Sequence, residues 1–189
     1  MIASAKANLR QQVRERLSAM LPEEREAAAL QICSRLRQQA VWKSAGSILL
    51  FAPLPNEPDV WPLLEEALLA GKTVALPRFS SPAQSYHAAA VQNLHADLQS
   101  GQFGIREPSA SCAEFPLNRL DLVLVPGVAF QANGCRLGRG KGFYDRLLAA
   151  VRGRKCGVAF DEQIVSAIPT GPLDIRVNCI VTPTRWIET

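Results

Sequence analysis

The chain has 189 residues, 48 % of them hydrophobic, and a formal net charge of +4. That length suits one domain with a sizeable core; no apolar run reaches the ~18 residues of a membrane span, and residues 1–20 read as a charged amphipathic helix rather than a secretory signal. Five cysteines (33, 112, 135, 156, 179) without a C-x-x-C pair, and only two histidines, argue against a disulfide frame or zinc centre and for reduced thiols in a cytoplasmic protein.

The charge is unevenly placed. Residues 134–155 carry seven basic groups and one acidic, residues 1–43 carry eight and four, and the remainder six and twelve. A focused basic patch draws in an anionic ligand more than it coats nucleic acid. No aromatic-interleaved basic strand or recognition-helix pattern is present, so no nucleic-acid partner is expected.

Leu9, Val13, Leu17 and Met20 recur on one stripe of residues 3–20, which predicts a first helix. Lys6 and Arg10, one turn apart, project from the same side of it. Pro22-Glu23-Glu24 opens a second helix to about Gln39, with Leu30, Cys33 and Leu36-Arg37 marking its buried side. Residues 47–52 read as a buried strand, followed by a loop at 53–58 that carries Glu57. Residues 61–70 form a helix closed by Gly71, and 73–76 the next strand. A further strand falls at 85–91; 94–102 is helical or irregular, and 109–117 is a loop. Short buried strands at 155–160 and 178–182 complete the chain, the latter being the last. Strands separated by helices, with no repeat or linker, predict one α/β domain over residues 1–189: a three-layer α/β/α sandwich with a mainly parallel sheet. Ligands gather beyond the strand carboxyl ends of such sheets, where the 53–58 loop lies.

Residues 120–151 organise the rest. The apolar run 122–125 is long enough only for a buried strand and stops at Pro126-Gly127. A polar turn at 131–134 precedes Arg136-Leu137-Gly138-Arg139-Gly140-Lys141-Gly142-Phe143-Tyr144-Asp145-Arg146. From Phe143 onward Leu147, Leu148 and Val151 keep helical spacing, so the glycines lie at a helix start. There the backbone can approach a ligand closely, and free N–H groups with the positive dipole end favour an anion. Arg136, Arg139, Lys141 and Arg146 crowd the same residues, which suits a polyphosphate. Tyr144 and Asp145 fall in the first turn, where a ring can stack and a carboxylate can hold a metal. The spacing fails the dinucleotide fingerprint, because Gly142 stands one position early. It fails the phosphate-loop motif too, with Cys135 in place of its first glycine and Gly142 in place of Ser/Thr. On spacing alone, a basic glycine-rich surface loop fits as well.

The longer string is more specific. Pro126-Gly127-Val128-Ala129-Phe130, then Gly134-Cys135-Arg136-Leu137-Gly138-Arg139-Gly140-Lys141-Gly142-Phe143-Tyr144-Asp145, strongly resembles the signature of the 5-formyltetrahydrofolate cyclo-ligase family, also called methenyltetrahydrofolate synthetases. Pro77-Arg78, Phe103-Gly104-Ile105-Arg106-Glu107-Pro108, Asp161-Glu162-Gln163 and Val181-Thr182-Pro183 extend the likeness over nearly the whole chain. The resemblance implies the same α/β/α fold and an ATP- and Mg²⁺-dependent conversion of 5-formyltetrahydrofolate into 5,10-methenyltetrahydrofolate, with release of ADP and phosphate. The formyl oxygen, an amide oxygen and a poor leaving group, would take the γ-phosphoryl to give an imino-phosphate. N10 would then attack the activated carbon and phosphate would depart. Such transfer rests on positioning and charge neutralisation.

For the site, the resemblance implies an ATP-binding set of Lys6, Arg10, Arg136, Leu137, Gly138, Arg139, Gly140, Lys141, Gly142, Phe143 and Tyr144, with Arg139, Lys141 and Tyr144 acting in catalysis. Ala52, Glu57, Phe103 and Tyr144 would meet the folate: Glu57 by accepting hydrogen bonds from pterin N–H groups, Phe103 by stacking unless it packs in the core. Read without the resemblance, Glu57 is an ordinary exposed loop acid. Asp145 would bind Mg²⁺. In many members an Asp four residues after the one matched by Asp174 helps to hold the metal; here that position is Asn178, which leaves Asp145 as the expected principal ligand. The expected partners are ATP and 5-formyltetrahydrofolate, with or without a polyglutamate tail. Neither a membrane nor a second subunit is expected. Two rival classes stay open: a phosphosugar-isomerase-like or CoA-transferase-like enzyme on a similar sandwich, and a non-catalytic nucleotide or folate binder.

Overall fold

The computed structural model describes residues 2–101 and 104–189. Its helices are α1 (Ile2–Ser18), α2 (Pro22–Gln38), α3 (Ala40–Ser44), α4 (Trp61–Leu69) and α5 (Phe143–Ala149). An eight-stranded sheet takes β1 (Ser47–Leu49), β2 (Thr73–Ser80), β3 (Ser85–Val91), β6 (Glu114–Phe115), β7 (Leu122–Val125), β10 (Arg154–Val158), β12 (Cys179–Val181) and β13 (Trp186–Glu188). Two small sheets hold β4 (Leu98–Ser100) with β5 (Arg106–Pro108), and β8 (Ala129–Gln131) with β9 (Arg136–Leu137) and β11 (Ile164–Val165).

Side-chain alternation builds the layers. Ile48, Leu50, Leu122 and Leu124 point into one core with Val13 and Leu17 of α1, Ile32 and Leu36 of α2, and Leu63 and Leu64 of α4. Leu49, Val123 and Val125 point into another with Leu147 and Leu148 of α5. A strand buried on both faces reads as a continuous apolar run, and each such side chain stabilises the fold by roughly 1.5–3 kcal/mol on burial. Helices therefore cover both faces of the sheet, four against one, which is the expected sandwich. Among the described residues no helix is long and apolar enough to cross a membrane.

The sheet order is β13-β12-β10-β7-β1-β2-β3-β6. The five central strands β2, β1, β7, β10 and β12 run parallel, with antiparallel β13 on one edge and antiparallel β3 then β6 on the other. Winding goes outward from β1 to β2, then returns past β1 to β7. A crevice opens at the carboxyl ends where the direction of winding reverses, here between β1 and β7.

Several boundaries differ from the sequence reading. β2 runs through Pro77 because β1 ends at Leu49, opposite Ala75; beyond it one edge of β2 is free of that ladder, where a proline is tolerated. Residues 94–102 contain strand β4, and 109–117 contain β6. The strand at 178–182 is not the last, since a turn closed by Thr182 and Arg185 brings β13 back beside it. Leu30 is 57 % exposed, because Ala29, Ile32, Cys33 and Leu36 form the buried stripe of α2 and turn Leu30 outward.

Candidate active site

The loops beyond β1 and β7 enclose a cleft of about 630 Å³. Phe51, Ala52, Leu54 and Glu57 come from the first loop, and Pro126 and Gly127 from the second. Gly127 is required there: a Cβ would fall 2.7 Å from the Phe130 ring. The segment from Arg136 to Asp145 forms one wall, and α1 brings Ala3, Lys6 and Arg10 against it. Pro77, Tyr86, residues 105–107 and Asp174 line the rest. Every site residue expected from the sequence lines this cleft except Phe103, which lies outside the described residues.

The glycine loop has a shape that side chains would oppose. Gly140 has φ of +106° and Gly142 of +67°, and a Cβ at Gly138 would fall 2.9 Å from Arg136 Nη1. Gly142 is also the N-cap of α5, but that helix has only seven residues. Attraction for an anion therefore rests more on side chains and loop N–H groups than on a long helix dipole.

Most cations of the cleft already have partners. Lys6 Nζ donates to Asp174 Oδ2 at 2.6 Å, and Arg10 Nε donates to the Gly138 carbonyl at 2.8 Å, tying α1 to the glycine loop. Arg136 Nη2 donates to Asp145 Oδ1 at 2.8 Å, with only 3 % of its side chain exposed and its guanidinium 5.8 Å from the centre of the Tyr144 ring. Arg139 pairs with Glu57 at 2.8 Å. Lys141 is exposed and makes no hydrogen bond or ion pair among the described residues. Arg146, outside the cleft lining, lies over Phe143 and donates to the Gln84 carbonyl at the tip of the β2–β3 hairpin.

Glu57 is not an exposed loop acid. Its side chain is 7 % exposed, Oε1 pairs with Arg139, and Oε2 accepts the Leu54 N–H at 3.0 Å. Tyr144 joins an aromatic group with Tyr86, Phe143 and Phe79, with centroids 5.1 to 5.9 Å apart. Burial, with the carboxylate of Glu57 nearby, pushes the Tyr144 phenol far above its ordinary range, so it stays neutral. Burial also lowers the pKa of Arg10, helped by Arg14 and opposed by Asp174. For Asp174 burial acts upward, but Lys6 and the Gly171 N–H outweigh it and hold the carboxyl below its usual range.

Two carboxylates fit a hard cation. Asp145 Oδ1 takes Arg136 and the Ile175 N–H, while Asp174 Oδ2 takes Lys6 and the Gly171 N–H. Each acid thus keeps one oxygen without a hydrogen bond among the described residues. Magnesium uses one or two such oxygens and completes its shell with waters and phosphate oxygens. Asn178 has no place in this arrangement. It is exposed at the amino ends of β10 and β12, where its Oδ1 accepts the Lys155 N–H, whereas the cleft lies at the carboxyl ends. Tyr86, Glu107, Phe51 and Leu54 line the cleft without having been singled out as site residues. Only Glu107 carried a signal, its place in the Gly104–Pro108 segment.

Comparison with known proteins places the chain in a family. The family model described as the 5-formyltetrahydrofolate cyclo-ligase family matches residues 2–183. The 5-formyltetrahydrofolate cyclo-ligase of Escherichia coli K12 is 32 % identical over 93 % of this chain and 99 % of its own, and that of Mus musculus is 29 % identical over 94 % and 93 %. The NMR structure of Aquifex aeolicus 5,10-methenyltetrahydrofolate synthetase superposes with a TM-score of 0.87 at 34 % identity, covering 97 % of this chain and 92 % of that one. The Mycoplasma pneumoniae synthetase shares the fold at 22 % identity, with a TM-score of 0.75 over 94 % of this chain and 98 % of that one. The chain belongs to the 5-formyltetrahydrofolate cyclo-ligase family.

Proposed function

We propose that the cleft converts 5-formyltetrahydrofolate into 5,10-methenyltetrahydrofolate, using MgATP and releasing ADP and phosphate. One observation carries this reading: the cations of α1, the glycine loop and the enclosed carboxylate of Glu57 all open on one cleft. A polyphosphate and an N–H-bearing heterocycle can therefore meet there. Lys6, Arg10 and Lys141 neutralise phosphate oxygens, and the loop N–H groups from Leu137 to Phe143 cradle them. Arg136 adds its charge from beneath the loop.

Arg139 links the two substrates. Turned toward phosphate, it releases Glu57 Oε1 to accept pterin N–H groups, so nucleotide binding prepares the folate site. Ala52 and the Tyr144 ring border the folate and exclude water from the reacting formyl group. Phosphorylation of the formyl oxygen makes it a good leaving group, and N10 closes the ring as phosphate departs. No side-chain nucleophile is needed. Asp145, with Asp174 beside it, would hold the Mg²⁺, which would supply neutralisation of phosphate charge. All these residues come from one chain, which supports action as a monomer, and five free, buried thiols suit the cytoplasm.

The test is to mix the protein with MgATP and 5-formyltetrahydrofolate and follow the absorbance of methenyl-folate. A rise that requires both substrates, with matching ADP release, is expected. Product without nucleotide, or ADP release that ignores the folate, overturns the reading.

A further inference from the structure

The four acids lining the cleft are not equivalent. Glu57, Asp145 and Asp174 each touch a cation, whereas Glu107 makes no ion pair among the described residues. Glu107 is 5 % exposed. Its Oε2 accepts the Phe79 N–H at 3.1 Å, but its buried Oε1 has no hydrogen-bond partner among the described residues. Arg78, whose charge acts on Glu107, is directed elsewhere, to the carbonyls of Ser109 and Cys112 and to Glu114, and the adjacent Arg106 donates to the Leu94 carbonyl and lies over Trp61. Gly101 packs so closely that a Cβ there would fall 2.4 Å from Glu107 Cδ, which closes one side of the carboxyl. A buried acceptor left unpaired costs roughly 1–3 kcal/mol, and such a cost is sustained where a ligand completes the bond.

We propose that Glu107 is a second substrate-recognition carboxylate, whose Oε1 accepts an N–H hydrogen bond from the reduced pteridine. This rests on the formyl-folate reading above and deepens it. A phosphate is ruled out as the occupant, because an anion facing an unpaired carboxylate is repelled. The reduced pteridine suits it, since its 2-amino group and ring N–H groups form a row of donors. Tyr86 and Pro77 line the same part of the cleft and offer apolar faces to a ring. With Oε2 held by the Phe79 N–H, Oε1 is the oxygen that this cleft-lining carboxyl has left for a ligand. Burial, opposed by the Phe79 N–H and Arg78, raises the Glu107 pKa, as an acceptor waiting for a donor should show. Glu57 and Glu107 then fix two separate positions of the heterocycle, and the phosphates remain at the glycine loop.

Glu107→Gln tests this while keeping the shape. Its amide oxygen can serve the Phe79 N–H, but its NH₂ then replaces Oε1 and meets the ligand donor with a donor. Binding of 5-formyltetrahydrofolate with a non-hydrolysable MgATP analogue present, measured by calorimetry, is expected to weaken by at least about tenfold. MgATP affinity should stay within about twofold, and Glu107→Asp, which keeps the charge, should recover part of the folate affinity. A purely structural Glu107 would lower thermal stability and weaken both ligands together, and that result overturns the proposal. So does a Gln variant that binds the folate like wild type. A wild-type protein that binds no formyl-folate overturns the functional reading itself, and with it this assignment.

Discussion

A cation serves a polyphosphate only where the phosphate can reach it. Lys141 is exposed and unpaired among the described residues, whereas Arg136 is 3 % exposed and bound to Asp145. Their alanine variants should therefore fail differently. Lys141→Ala should raise the ATP requirement about tenfold with stability changed by less than about 0.5 kcal/mol. Arg136→Ala strands Asp145 and should lower stability by on the order of 3 kcal/mol in denaturant titration. Equal stability of the two variants would contradict this division. Glu107 gives a prediction about pH. Its folded pKa is raised, so between the ordinary glutamate value and the raised one the folded state binds more protons than the unfolded. Stability should fall as pH rises through that window, and Glu107→Gln should remove this contribution. The variant's relative gain should be full above the window and vanish below it. A constant difference at all pH values would count against an ionised, unpaired Glu107.

Among elements, legibility followed burial. The strand at 122–125, apolar throughout, matches β7 to the residue because both faces are covered. The strands missed, β4, β5, β6, β8, β9, β11 and β13, have two or three residues each and carry too little pattern to separate them from turns. The glycine loop was legible as a string, yet its support was not. Arg10 reaches the Gly138 carbonyl across 128 residues, and no spacing rule anticipates that contact. The loop itself makes a testable claim. Gly140→Ala places a side chain at φ of +106°, a conformation costing about 1–3 kcal/mol. Because Gly140 is exposed and the loop can relax, the cost should appear in the nucleotide site. The KM for ATP should rise at least about fivefold, while the melting temperature moves by less than about 3 °C. A large drop in melting temperature with unchanged ATP kinetics would show that the loop conformation serves stability instead.

For the whole molecule, the cleft closes a circuit that sequence order hides. Lys6 in the first helix meets Asp174 near the other end of the chain, 168 residues away, and Ile175 next to it donates to Asp145. Asn178 stands where the family resemblance puts a metal-holding Asp, four residues after Asp174, but the irregular segment between them carries it to the amino ends of β10 and β12. An offset along the chain fixes no position where irregular backbone lies between the two residues. Because the site draws on both ends of the fold, ligands should stabilise the molecule as a unit. At one hundred times its dissociation constant, MgATP adds about 2.7 kcal/mol to the folded state. For a chain of this size that corresponds to a rise of roughly 5–11 °C in melting temperature. Lys6→Ala and Arg10→Ala should lose most of this rise at the same MgATP concentration and keep the rise produced by the folate, since Glu57 and Glu107 are untouched. Asp145→Asn should behave differently again, retaining the shift by ATP alone but losing the increment that Mg²⁺ adds. If the Lys6 and Arg10 variants keep the full nucleotide shift, α1 does not take part in phosphate binding and its contacts with Asp174 and Gly138 are structural.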